Sequence, residues 1–313
     1  MNSKLQAFRP EGGKIRCTNT PDGFKIRYGV WNTGTIGTIF FLNGRTEYIE
    51  KYSDTISKFL KRQFSVVSLD WRSQGLSQRY FGRRDIGHIN DYKEYQTDLK
   101  TLMSLEEIKK LPKPFVLVSH SMGGLIGLRA ISNKNHCFSA AIFSAPAWGA
   151  KMFENAVLNL IKGLAPVIKT PGIAKIKLYP GGKQPYVLMT SAKENALTSD
   201  EKQFKRLQSI VKAEPKLLVG PPTVGWGRAT AQELEKLEKV RPPKIPILIF
   251  MSAEETVVDN EAIKRFAEKS VNSKLVEINR AKHEVFLETP KIQKTAWSHI
   301  DDFLSKGTKS ASG

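Results

Sequence analysis

A serine hydroxyl attacks a carbonyl group only when a histidine takes its proton and a carboxylate orients that histidine. The segment Phe115-Val116-Leu117-Val118-Ser119-His120-Ser121-Met122-Gly123-Gly124 carries the pattern for such a serine. A short apolar strand at 115–118 runs into a turn with a serine at its apex, and a small-residue helix follows at 122–131. This strand–turn–helix elbow, G-x-S-x-G in its usual form, needs small flanking residues because strand and helix approach closely. Here it reads S-x-S-x-G, with Ser119 in the first small position. Taking Ser119 as the nucleophile fails, since Leu117 and Ser121 would then fill the small positions. Ser121 is the candidate nucleophile, weighed against a plain glycine-rich helix start packed on a strand.

The chain order expected around such an elbow is serine, then acid, then histidine. Of five histidines, His120 lies inside the elbow, where it cannot reach the serine correctly. His88 and His136 precede the acid region or lie in polar surface segments, and His299 falls on the last helix. His283 follows the final strand in Arg280-Ala281-Lys282-His283-Glu284 and is the candidate base. The acid should follow the strand ending at Met251, which leaves Glu254, Glu255 and Asp259. Asp259 suits the N-cap of the next helix. Glu255 is preferred, with Glu254 as its rival. For the tetrahedral oxyanion, one backbone N–H should come from Met122. The other should come from Arg45 in Asn43-Gly44-Arg45, where Gly44 lets the chain turn toward a substrate. Such a donor pair contributes about 3 kcal/mol in the transition state. Taken alone, Asn43-Gly44 would read as an ordinary turn.

The elements that must hold these residues alternate. Strand signals fall at 14–19, 24–31, 38–42, 64–69, 115–118 and 140–143, with helical spacing at 48–62, 92–108 and 122–131. The alternation resumes with a strand at 245–251, a helix at 261–269, a strand at 274–278 and a helix at 292–303. This rhythm predicts an α/β fold with a mostly parallel central sheet and helices on both faces. Residues 147–244 break it with helical stretches and Pro/Gly clusters. The expected organisation is a core of 1–146 and 245–313 with a helical cap, or lid, at 147–244. Ligand sites in such sheets lie past the carboxyl ends of the strands, so an insertion there would roof the site.

The 313 residues carry 49 Lys+Arg against 30 Asp+Glu, a net charge of +19. That balance points to an anionic partner and says nothing about fold. Cys17 and Cys137 are too few for a disulfide framework, suit a reducing compartment and read as small buried hydrophobes. The N-terminus lacks an apolar signal region. The longest loosely apolar stretch, 156–168, is interrupted by Asn159 and Lys162 and falls short of the ~20 residues that a membrane span needs. Residues 151–193 hold seven lysines and one acid, Glu154, interleaved with apolar residues. Two readings stand for this segment: a basic amphipathic lid for an anionic lipid surface, or a solvated lid closing over the core.

The pieces Leu42-Asn43-Gly44-Arg45-Thr46-Glu47-Tyr48-Ile49-Glu50-Lys51-Tyr52, Leu69-Asp70-Trp71-Arg72-Ser73-Gln74-Gly75-Leu76-Ser77, the elbow, Asn195–Asp200, Ala253–Asn260 and His283–Glu288 resemble the serine α/β-hydrolases. Within them the chain is similar to the lysophospholipase L2 and monoacylglycerol-lipase-like group. It departs from that pattern in Asn43 for His, Ser73 for Gly and Ser119 for Gly. The resemblance implies an α/β-hydrolase fold, favours Glu255 as the acid, and implies hydrolysis of a fatty-acyl ester through an acyl-enzyme on Ser121. It implies no metal or organic cofactor. The expected partner is a lipid or acyl-ester substrate, with peripheral contact at an anionic membrane surface, no nucleic acid and a cytoplasmic setting. Alternatives are a monoacylglycerol lipase or general carboxylesterase, peptide or thioester cleavage on the same triad, and a non-catalytic basic binding protein.

Overall fold

The computed structural model describes residues 3–149, 170–178 and 186–309. Eight strands form one sheet: β1 (Lys14–Asn19), β2 (Lys25–Trp31), β3 (Thr38–Leu42), β4 (Ser65–Asp70), β5 (Phe115–His120), β6 (Phe138–Ser144), β7 (Ile247–Ser252) and β8 (Ser273–Ile278). Their spatial order is β1-β2-β4-β3-β5-β6-β7-β8. β1 and β2 pair antiparallel, as do β2 and β4, and every pairing from β4 to β8 is parallel.

Side chains alternate across a strand, so continuous apolar strands must be covered on both faces. Phe40 and Leu42 of β3, Leu117 of β5 and Ile249 of β7 belong to one buried layer. The intervening Phe41, Val118 and Phe250 belong to the other. The first layer takes in helices Lys93–Ser104, Met122–Ile131 and Val224–Glu238, and the second takes in Ser53–Lys61 and Pro290–Lys309. The fold is the α/β-hydrolase fold that the sequence resembles.

β3 lies between β4 and β5, so successive crossovers leave it on opposite sides. A crevice opens past the carboxyl ends at such a switch point. There Leu42 of β3 is the register partner of Ser119 of β5. The loop beginning at Asn43 and the turn holding Ser121 therefore start from adjacent strand ends.

Some expectations change in detail. The helix expected over 92–108 ends at Ser104, because Leu105 is extended (ψ 134°), and a short helix Glu106–Lys109 follows. Asp259 does cap helix Asn260–Lys269, accepting from the N–H of Glu261 at 2.9 Å. Both cysteines are exposed rather than buried. Cys17 lies on the edge strand β1, whose outer positions face solvent. Between β6 and β7 the described residues form helices, with isolated bridges Gly87↔Pro222 and Lys177↔Thr223. The last of these helices, Val224–Glu238, buries Trp226, Ala229 and Leu234 in the same layer as the sheet. Most of the basic segment expected to act as a lid, including Lys151, Lys162, Lys169 and Lys183, lies outside the described residues. Among the described residues, Lys175 lies 3.9 Å over the Phe81 ring and Lys177 lies 3.3 Å from Asp85. No described helix is long and apolar enough to cross a membrane.

Candidate active site

Ser121 sits between the end of β5 and the start of helix Met122–Ile131, with φ 51° and ψ −120°. A non-glycine residue at positive φ costs about 1–3 kcal/mol and persists only where its surroundings impose it. Here they do. The Ser121 N–H donates to the Ser144 carbonyl at 3.1 Å, and its carbonyl accepts from Gly124 and Ala147 at 2.8 and 3.0 Å. A Cβ on Gly123 would lie 2.2 Å from the Leu42 carbonyl oxygen, and one on Gly124 would lie 2.5 Å from Pro146 Cβ. Gly123 lets the elbow touch the end of β3, and Gly124 lets it touch the segment after β6. Ser119 fits the first small position fully buried, and its hydroxyl has no hydrogen-bond partner among the described residues.

His283 and Glu255 come together from loops after β8 and β7. His283 Nδ1 lies 2.8 Å from Glu255 Oε2, and both side chains are buried. The other carboxylate oxygen, Oε1, accepts from the N–H groups of Val257 and Val258 at 2.6 and 3.2 Å. Burial works to raise the Glu255 carboxyl above its ordinary value. The bond and charge of His283 and the two N–H donors outweigh burial and hold it below. Glu254 points into solvent, with its backbone N–H tied to the Ala281 carbonyl. The loop carrying His283 is braced from 195–199: Glu284 N–H donates to the Leu197 carbonyl at 2.8 Å, and Thr198 Oγ1 donates to the Leu287 carbonyl at 2.7 Å.

The loop after β3 is pinned from several sides. Asn43 Nδ2 donates to the Leu69 carbonyl at 2.9 Å, and Trp71 Nε1 donates to the Asn43 carbonyl at 2.8 Å. The N–H of Gly44 is bound by Glu47 and that of Thr46 by Gln74. The Arg45 amide lies between these two anchored neighbours. Its side chain turns away to the Gly220 carbonyl at 2.9 Å and lies over the Trp226 ring. Met122 is the first residue of its helix, where the N–H has no partner within the helix.

Ser121, His283 and Arg45 line one cavity of about 710 Å³, a size common for small-molecule sites. Val187, Leu197, Leu207, Val211, Leu218 and Val257 give it apolar walls, and Arg84 and Lys177 also line it. Sequence reasoning assigned no role to a buried cluster beside it: Glu47, Lys51, Tyr52, His120 and Glu284. The signal was present as charged residues flanking each expected site residue, but their pairing spans more than 200 positions. No local pattern could reveal it.

A probable lysophospholipase L2 from Haemophilus influenzae is 27% identical over 270 residues, covering 85% of this chain and 83% of that protein. Lysophospholipase L2 from Escherichia coli K12 is 26% identical over 279 residues, covering 84% and 78%. The structure of a soluble variant of monoglyceride lipase from Saccharomyces cerevisiae superposes with a TM-score of 0.74 at 19% identity, covering 96% of this chain and 98% of that one. The model of the serine aminopeptidase S33 family matches residues 34–290. With most of its length matched, this chain belongs to the serine aminopeptidase S33 family of α/β-hydrolases.

Proposed function

We propose that this protein is a serine hydrolase that cleaves the acyl ester of lysophospholipids, with Ser121, His283 and Glu255 as its triad. One observation carries the reading: the His283–Glu255 pair and the strained Ser121 elbow meet at a largely apolar cavity big enough for an acyl chain. Ser121 Oγ attacks the ester carbonyl carbon while His283 takes its proton. Glu255, bound at Nδ1, holds the imidazole in the tautomer that leaves Nε2 free to accept. The N–H groups of Arg45 and Met122 receive the oxyanion. His283 returns the proton to the departing glycerol oxygen. A water then enters, gives its proton to His283 and releases the fatty acid from the serine. The chemistry needs no metal or organic cofactor.

The family is named for peptide cleavage, and the triad alone does not separate ester from amide substrates. The apolar walls and the two relatives named lysophospholipase L2 favour the lipid ester. In this reading 147–244 forms the cap, and the net charge of +19 draws the enzyme to anionic lipid surfaces. The test is a substrate panel. Lysophosphatidylethanolamine should be hydrolysed faster than a monoacylglycerol of the same chain, and aminoacyl arylamides should be inert. Arylamide turnover without ester turnover would overturn the proposal.

A further inference from the structure

Five buried side chains, three of which also line the cavity, join the parts of the proposed active site. Lys51 Nζ lies 2.7 Å from Glu47 Oε1 and also bonds Glu284. Tyr52 donates its hydroxyl within 2.8 Å of Glu47 and 3.0 Å of Glu284. His120 Nε2 lies 3.2 Å from Glu284 Oε1 and 3.6 Å from Glu47 Oε1, in ion-pair contact. Three members each flank one working part: Glu47 holds the Gly44 amide, His120 precedes Ser121, and Glu284 follows His283. The two carboxylates and the imidazole lie within 4.8 Å of one another, and the Lys51 ammonium bonds both carboxylates.

Two carboxylates and one ammonium leave a net negative charge, which is costly to bury. The geometry at His120 removes it. Nδ1 lies 3.1 Å from the Ser144 carbonyl, while Nε2 lies within ion-pair distance of both carboxylates without making a hydrogen bond of good geometry. Both ring nitrogens therefore face groups that only accept, and a neutral imidazole would aim a lone pair at one of them. The nearest polar atoms to both ring nitrogens thus favour an imidazolium. Its ring centroid lies 4.6 Å from that of His283.

We propose that His120, held as a cation by Glu284 and Glu47, is a positioning residue that sets the charge felt by the catalytic imidazole of His283. The inference rests on the reading of His283 as general base. Burial alone would lower the basicity of His120, but the charges of Glu284 and Glu47 outweigh it and raise it. The same contacts hold the Glu284 carboxyl well below its ordinary value against burial.

Other charged groups surround His283. Glu255 faces it from the loop after β7, and Glu284 adjoins it on its own loop, where the Lys282 ammonium turns to the Asn195 carbonyl. Arg45, Arg84, Asp85 and Lys177 line the same cavity, with Asp85 paired to Lys177 and Arg83. His120 is the cation whose ring contacts that of His283.

The test is the pH dependence of kcat/KM on a soluble ester. His120→Gln leaves the cluster with a net negative charge beside His283, which favours the protonated base. The acid limb should move up by about 1 pH unit. His120→Gln combined with Glu284→Gln restores a neutral cluster, and the limb should return toward wild type although two buried groups are altered. A purely structural role predicts further damage instead. A limb that stays in place in His120→Gln, or fails to return in the double variant, overturns the proposal. Nitrogen-15 histidine spectra of the unaltered protein give a second reading. His120 should keep both ring protons as the pH rises past the ordinary imidazole value of 6.5, and a proton lost at or below that value overturns the inference. His283→Ala separates the two claims: surviving activity defeats the proposed function, whereas an inactive His283→Ala with an unmoved limb in His120→Gln defeats this inference alone.

Discussion

Glu255 and Glu254 are adjacent, identical in chemistry, and open to opposite fates. The sequence leaves both as candidate acids because no periodicity governs a loop after a strand. The structure places Glu255 on His283 and Glu254 in solvent. Glu255→Gln should lower kcat by about 100-fold or more through the wrong imidazole tautomer, while Glu254→Gln should stay within about 2-fold. Comparable losses in both would place the acid elsewhere. The ion pair also sets a pH sign. The folded-state value of Glu255 lies below its ordinary 4.5. The stability it contributes is present above that ordinary value and lost as pH falls through the lowered one. Glu255→Gln should therefore unfold with a shallower dependence on acid than wild type, measured by denaturant midpoints. Equal slopes would contradict this. Ser121 and His283 were legible because chain order and strand ends constrain them. The cluster around His120 was not, because its members meet only through the fold.

At the scale of elements, the elbow was readable from five residues because strand, turn and helix each leave a local signature. The pairing of β3 with β5 was not, since parallel register is set between residues 77 positions apart. That pairing explains why Gly123 is small: its Cα faces the Leu42 carbonyl across the join. Gly123→Ala should cost about 2 kcal/mol of stability by overpacking. It should also lower kcat/KM more than its stability loss explains, because the elbow and the loop carrying Arg45 are forced apart. Thermal melts and kinetics on the folded fraction would check this, and a fully active, equally stable variant would contradict it. The break at Leu105 escaped the sequence because the apolar spacing continues through Leu105 and Ile108 on both sides of it.

For the whole molecule, the charge of +19 was legible at once and its use was not. Composition carries sign but no position. Two lysines of the basic segment, Lys175 and Lys177, engage Phe81 and Asp85 of the 1–146 region. The proposed membrane contact therefore rests on the summed field rather than on these side chains. Binding to vesicles rich in phosphatidylglycerol should weaken steeply as salt rises through about 0.1 M, where screening reaches ~10 Å. Neutral vesicles should bind little at any salt. Cosedimentation measures both, and salt-insensitive binding would assign the charge to solubility alone.

In the proposed reaction, acyl transfer from a lysophospholipid passes through Ser121. The direct measurement is fatty-acid release from lysophosphatidylethanolamine by wild type and by Ser121→Ala, paired with fluorophosphonate labelling located by mass spectrometry. Label should fall on Ser121 alone, and the variant should lose at least about 1,000-fold in activity. A variant that keeps a tenth of wild-type activity, or a wild-type label on another residue, would contradict it.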